Sequence, residues 1–292
     1  MKEENNFQKT NINWYPGHMA KTKRLIKENI NLIDIIYEVI DSRMPLSSKI
    51  IDIDNYTLNK PKILIFNKID LCDIKETDKW IKYYKKKGYN VIKTNLEGNT
   101  DIKPLIFLTE KIMEEYNQKR EDKGMIKRKA RVLVVGIPNV GKSTLINRLA
   151  AKKVVNIGNK PGVTKNLNWI RVNETIELLD SPGILWPKLE EKNAFNLASF
   201  TAIREEILPL FDVVEYILRT LEKYYPEKLK ERYKIENLND DILIDLEEIG
   251  KKRGCLIKGG EIDYDKVLNL IMSDIKNGYI KEITFDRYDE NE

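Results

Sequence analysis

A chain of 292 residues, 41% hydrophobic and 33% charged, is long enough for one large domain or two modest ones and reads as globular and highly charged. No run of eighteen apolar residues occurs, and Met1 to Asn6 has no apolar signal-peptide core, so the expectation is a cytoplasmic protein with no membrane partner. Two distant cysteines, Cys72 and Cys255, and one histidine, His18, argue against a disulfide framework and against zinc.

The net charge of +5 hides an asymmetry. Residues 1–189 carry 35 Lys and Arg against 22 Asp and Glu, whereas residues 190–292 carry 16 against 24. A basic front half suits a polyanion such as RNA, and equally a solvated lysine-rich surface.

Residues 1–30 are polar apart from Trp14-Tyr15-Pro16-Gly17-His18-Met19, where aromatics flank a turn signal. Ala20 to Ile30 follows as a basic amphipathic helix candidate, and Leu32 to Ile40 as a buried strand ended by Asp41-Ser42-Arg43-Met44-Pro45. A second strand, Lys62 to Phe66, leads into Asn67-Lys68-Ile69-Asp70. A helix over Lys75 to Lys87, a short strand Val91 to Lys93 closing at Thr94-Asn95, and a helix over residues 104–117 come next. Lys119 to Lys129 reads as a linker.

The apolar run Arg131 to Val135 then opens Gly136-Ile137-Pro138-Asn139-Val140-Gly141-Lys142-Ser143-Thr144, followed by a helical pattern from Leu145 to Ala150. Strand, G-x-x-x-x-G-K-S and helix is the setting of a phosphate-binding loop. Its glycines let backbone N–H groups, here those of Asn139 to Thr144, turn inward, and the helix start adds positive potential. Lys142 is expected to reach the β- and γ-phosphates, and Ser143 to ligate Mg²⁺. Beyond it, Trp169 to Val172 and Thr175 to Leu179 are expected to pair as a hairpin ending at Asp180-Ser181-Pro182-Gly183. Strands alternating with helices predict an α/β domain over residues 31–188, a mainly parallel sheet flanked by helices. After Pro187 strand signals nearly vanish. Ala194 to Ile207, Leu210 to Leu221 and Tyr264 to Asn277 have helical spacing, so residues 189–292 are expected to form an all-helical domain.

Asn67-Lys68-Ile69-Asp70 says which nucleotide. A carboxylate at a strand end accepts from guanine N1–H and its exocyclic amine. Adenine offers neither, and the unpaired buried acid rejects it. Asn67 is expected to hold the loops, the Lys68 stem to stack on the purine, and Thr94-Asn95 to complete the base end. Asp180 supplies a carboxylate to Mg²⁺ through water, Gly183 a backbone N–H to the γ-phosphate, and Thr164 the switch hydroxyl on Mg²⁺. These motifs imply GTP and GDP as ligands, although base-reading motifs normally follow the phosphate loop and here precede it. The domain therefore reads as circularly permuted, with residues 119–129 as the join.

The permuted order, residues 14–21, Asp41-Ser42-Arg43-Met44-Pro45, Gly183-Ile184-Leu185-Trp186-Pro187 and Lys252-Arg253-Gly254-Cys255-Leu256 with Gly259-Gly260 carry a resemblance that covers nearly the whole chain. The chain resembles the circularly permuted P-loop GTPases, and among them the bacterial ribosome biogenesis GTPase A (YlqF) family. A sister subfamily with a β-barrel and a zinc knuckle needs a Cys/His cluster that is missing here. The resemblance implies a GTPase that acts late in assembly of the large (50S) ribosomal subunit, binds rRNA and is stimulated by the subunit. A GTP-gated RNA-binding scaffold with little turnover is the alternative. The family's helical domain resembles an RNA-binding module. Because this one is acidic, any rRNA contact must come from clusters such as Lys251-Lys252-Arg253.

Ras-like enzymes place a water-orienting glutamine where this chain has Ile184. The resemblance assigns water activation to the family's matching histidine, here His18, once the ribosome orders the N-terminal segment; the residues alone equally allow packing beside Trp14 and Tyr15 or an RNA contact. Related GTPases also hold K⁺ beside the phosphates, which makes Asn139 its candidate ligand here.

Overall fold

The computed structural model describes residues 24, 26–50, 53–57, 60–98, 101–152, 154, 168–180, 191–202 and 208–289. Six strands, β1 (Ile35–Asp41), β2 (Lys62–Asn67), β3 (Asn90–Lys93), β4 (Ala130–Val135), β5 (Asn168–Arg171) and β6 (Ile176–Asp180), form one sheet in the order β3-β2-β1-β4-β6-β5. All neighbours run parallel except β5, which closes one edge as an antiparallel hairpin with β6. Counted from β4, the strand after the phosphate loop's own is the edge strand β5. The strands placed beyond β4 on the other side are β1, β2 and β3, which come first in the chain. The sheet is thus the permuted one expected from the motif order.

The central strands read as continuous apolar runs because both faces are covered. Period two splits each strand between two cores. Ile35, Tyr37 and Val39 of β1 share one with Val132 and Val134 of β4, while Ile36, Leu133 and Val135 face another with Ile26, Ile30, Ile50 and Ile53. Leu32 lies in a 3₁₀ turn, Ile30–Leu32, so the first strand starts three residues later than expected.

The helices are α1 (Ile53–Thr57), α2 (Ile74–Lys86), α3 (Lys103–Glu121), α4 (Lys142–Leu149), α5 (Glu191–Ser199), α6 (Leu210–Tyr224), α7 (Pro226–Tyr233), α8 (Ile242–Arg253) and α9 (Tyr264–Lys276). Asp73 caps α2 by accepting from Lys75 N and Glu76 N, and Asp263 caps α9 through Lys266 N. The helix α3 runs to Glu121, past the start of the expected linker, because Leu105, Thr109 and Met113 pack it onto the sheet.

The helices α5 to α9 are joined to the sheet by an unbroken core, in which Leu197, Val214, Ile217, Leu221, Ile249 and Ile271 continue the layer of Val132 and Val134. This half is not wholly helical. Leu256 and Ile262 make an isolated antiparallel bridge, and residues 278–289 return as irregular chain across the end of the sheet. There Glu282 N and Ile283 N donate to Leu71 O, and Phe285 N to Arg43 O. The Asp286 carboxylate accepts from Leu46 N, Ser47 N, Ser47 Oγ and Asn196 Nδ2. Burial pushes that carboxyl upward, against the pull of these donors. No helix among the described residues is long and apolar enough to cross a membrane.

Candidate functional site

The loop after β4 is shaped by its glycines. Gly136 has φ +155°, and a Cβ there would lie 2.5 Å from Val39 O. Gly141 has φ +105°, and a Cβ there would lie 2.3 Å from Asn67 Nδ2. No larger residue fits either place. Lys142 opens α4, is buried, and donates from Nζ to Ile137 O at 2.8 Å, curling over the loop.

The base motif leaves the end of β2 beside that loop. Asn67 donates from Nδ2 to Val140 O (2.7 Å) and accepts Leu96 N on Oδ1 (3.0 Å). One amide therefore pins the phosphate loop to the turn after β3. Lys68 has φ +60° and lays its Nζ on Asn139 O (3.0 Å) and Asp41 Oδ2 (2.9 Å). Ile69 N donates to Thr94 O at 3.3 Å, which aligns the two base-end turns. The Thr94 hydroxyl is buried without a hydrogen-bond partner in the structure, behind the cleft wall. Asn95 instead uses Oδ1 on Glu97 N and Gly98 N, shaping its own turn.

Part of this set lines one cleft of about 420 Å³: Lys68 and Asp70 stand among its walls with Asn139, Gly141, Ser143 and Thr144, whereas Asn67, Thr94, Asn95 and Lys142 lie behind them and are not on its lining. A pocket that joins the start of α4, at Gly141, Ser143 and Thr144, to the turn carrying Lys68 and Asp70 has the parts to hold a nucleotide's phosphates and meet its base. Ser143 follows Lys142 directly and lines the cleft, so its hydroxyl is one that could serve a magnesium ion there. Asn139, at φ +62°, donates from Nδ2 to Thr201 O at 2.6 Å.

Asp180 ends β6 beside Val134, on the strand adjoining the loop strand. Thr164, Gly183, Ile184 and His18 lie outside the described residues.

Two residues at this site were left without a role by the sequence. Asp41 and Arg43, both 0–1% exposed, form a bidentate pair: Nε to Oδ1 at 3.0 Å and Nη2 to Oδ2 at 2.8 Å. Burial pushes the Asp41 carboxyl up, but the Arg43 and Lys68 charges outweigh it and hold the group well below the usual carboxylate range. Burial lowers the Lys68 ammonium in turn, with Asp41 opposing. The available signal was an acid and a base two residues apart at the end of an apolar strand.

Residues 131–247 match a family described as 50S ribosome-binding GTPase, a match that starts at β4 and excludes the base motif ahead of it. Ribosome biogenesis GTPase A of Bacillus cereus is 44% identical over 280 residues, covering 96% of this chain and 95% of the relative. The protein of the same name from Thermotoga maritima is 33% identical, covering 94% of each. A solved structure of GNP-bound YlqF from T. maritima superposes with a TM-score of 0.65 at 29% identity, over 91% of this chain and 98% of that one. A GDP-bound YlqF structure gives the same TM-score at 28% identity.

Proposed function

This chain belongs to the ribosome biogenesis GTPase A family and is a GTPase of ribosome assembly, and we propose that it binds a precursor of the large subunit through rRNA, late in maturation, and hydrolyses GTP when the subunit stimulates it. The observation that carries the reading is the double hydrogen bond of Asn67, which fastens the base-reading turn to the phosphate loop in one cleft. Asp70 accepts from guanine, the Lys68 stem covers the purine, and Thr94 and Asn95 complete the base end. Lys142 and the backbone N–H groups from Asn139 to Thr144 hold the phosphates. Ser143 and Thr164 hold magnesium, with Asp180 through water, and the ion neutralises charge on the phosphate oxygens. Asn139 holds potassium beside them, and Gly183 N–H meets the γ-phosphate.

Because Ile184 offers no hydrogen bond to water, the polar group must come from elsewhere in the complex. His18 is assigned that role: its imidazole orients the attacking water once the subunit positions the N-terminal segment that carries it. The proposed division is residues 31–188 for the permuted GTPase domain and 189–292 for the helical domain, working in the cytoplasm.

The helical half is acidic overall but carries a hollow of about 460 Å³ where Lys228, Arg232, Lys234, Arg253 and Lys281 outnumber Glu231 and Glu282 around Tyr279, with Lys228 paired to Glu282 and Arg232 to Asp274. Tyr279 is 66% exposed, with the Arg232 guanidinium 5.2 Å from its ring centre. An exposed ring among cations supports an rRNA contact by stacking and phosphate pairing. Lys251 and Lys252 pair with Glu247 and Glu248 instead, so Arg253 is the member of that run turned to this hollow.

Steady-state hydrolysis with and without large subunits tests the reading. The wild-type rate is expected to rise at least tenfold with subunits, and His18→Ala is expected to keep GTP affinity but lose that rise. Equal stimulation of His18→Ala would remove the histidine from the mechanism, and unstimulated wild type would remove the subunit.

A further inference from the structure

Arg43 is 1% exposed, and each of its three guanidinium nitrogens makes a hydrogen bond. Two nitrogens grip Asp41, as above. The third, Nη1, donates to Ile275 O in the last turn of α9 at 3.0 Å. The plane lies 4.2 Å from the Phe200 ring centre, just past α5, and Arg43 O accepts Phe285 N at 2.8 Å. Apart from Asp41, every one of these partners belongs to residues 189–292.

Asp41 in turn holds Lys68, and Lys68 holds the Asn139 carbonyl of the phosphate loop. A single buried carboxylate therefore stands between two cations of the cleft wall, Lys68 and Arg43, the second of which is also seated on the helical half. A second tie runs from the phosphate loop to the same half, through Asn139 Nδ2 and Thr201 O. The cleft itself is walled by Phe200, Thr201, Lys276 and Asn277 on that side. We propose that Arg43 is a positioning residue that couples guanine-nucleotide binding to docking of the helical domain, with Asp41 as the shared counter-ion.

The proposal rests on reading Lys68 as the purine's cover. With α9 docked, Arg43 is buried with all three guanidinium nitrogens bonded, Asp41 is divided between two cations, and Lys68 is held over the base. When α9 lifts, Arg43 loses the Ile275 carbonyl and the Phe200 face and gains water. Asp41 then turns toward Lys68 and draws its ammonium off the Asn139 carbonyl. By linkage, a nucleotide that fixes Lys68 favours the docked helix, and a partner that pulls on the helical domain weakens nucleotide binding by the same factor. Lysine cannot replace Arg43, because a point ammonium does not serve two carboxylate oxygens, a helix carbonyl and an aromatic face at once.

Amide hydrogen exchange on the full chain, with and without GDP and with ADP as control, reads the coupling directly. In wild type, GDP is expected to slow exchange in the last turn of α9 at least fivefold. Arg43→Met and Arg43→Lys are expected to bind GDP about tenfold more weakly and to lose that nucleotide dependence. GDP-selective binding that leaves α9 exchange unchanged in wild type overturns the proposal whether or not the variants fold. So does an Arg43→Met protein with wild-type affinity and intact protection. Equal protection by ADP and GDP counts instead against the guanine reading of residues 67–70.

Discussion

Asp41 is the residue on which the cleft's electrostatics turn, since it faces Arg43 and Lys68 with almost no water. Its folded-state carboxyl titrates below the ordinary value, so its contribution to stability is fully present above the unfolded pKa near 4 and is lost as pH falls through the folded one. Asp41→Asn leaves two buried cations short of their anion and is expected to cost about 3 kcal/mol at pH 7. In urea titrations, the gap between wild type and this variant is expected to narrow steadily below pH 4. A gap that stays constant from pH 7 to pH 3 would show that the carboxylate's charge is not what stabilises the cluster. The motif residues Asn67, Lys68, Asp70 and Lys142 were legible because short spacing carries their chemistry. The role of Asp41-Ser42-Arg43 was not, because Arg43 reaches Ile275, 232 positions away.

At the scale of elements, the buried strands declared themselves as apolar runs, and the hairpin of β5 and β6 by its polar turn. The helix α7, Pro226–Tyr233, was missed because only Leu229 and Tyr233 of its eight residues are buried. The helix α8 was missed because Leu243 and Ile244 are exposed beside the buried Leu246 and Ile249, which blurs the helical period. The same scale explains the phosphate loop's glycines. Gly141→Ala places a methyl group 2.3 Å from Asn67 Nδ2 in a left-handed backbone. It is expected to cost about 2 kcal/mol or more. Because the Asn67–Val140 bond must open to admit that methyl, GDP affinity is expected to fall at least tenfold. Calorimetric titration measures the second effect, and unchanged affinity would mean that the loop relaxes without Asn67.

For the whole molecule, the order of motifs revealed the permutation: a base motif ahead of a phosphate loop is compatible with one cleft only if the sheet's first three strands sit beyond the loop strand. The sheet order meets that condition. What the sequence concealed is the return of residues 278–289, which have no periodicity and are held by long-range contacts such as the two N–H groups on Leu71 O, the Trp80 indole on Asp286 O and the four donors on the Asp286 carboxylate. Through them the end of the chain braces the turn that carries Asp70. Guanine recognition by that turn, in a cleft shared with the phosphate loop, is tested most directly by the affinities of wild type and Asp70→Asn for GDP and xanthosine diphosphate. An asparagine offers an N–H where the carboxylate accepted one, matching the carbonyl that xanthine carries in place of guanine's amine. The variant is expected to lose GDP affinity by at least a hundredfold and to gain the xanthine nucleotide. A variant that binds GDP as tightly as wild type would contradict the account.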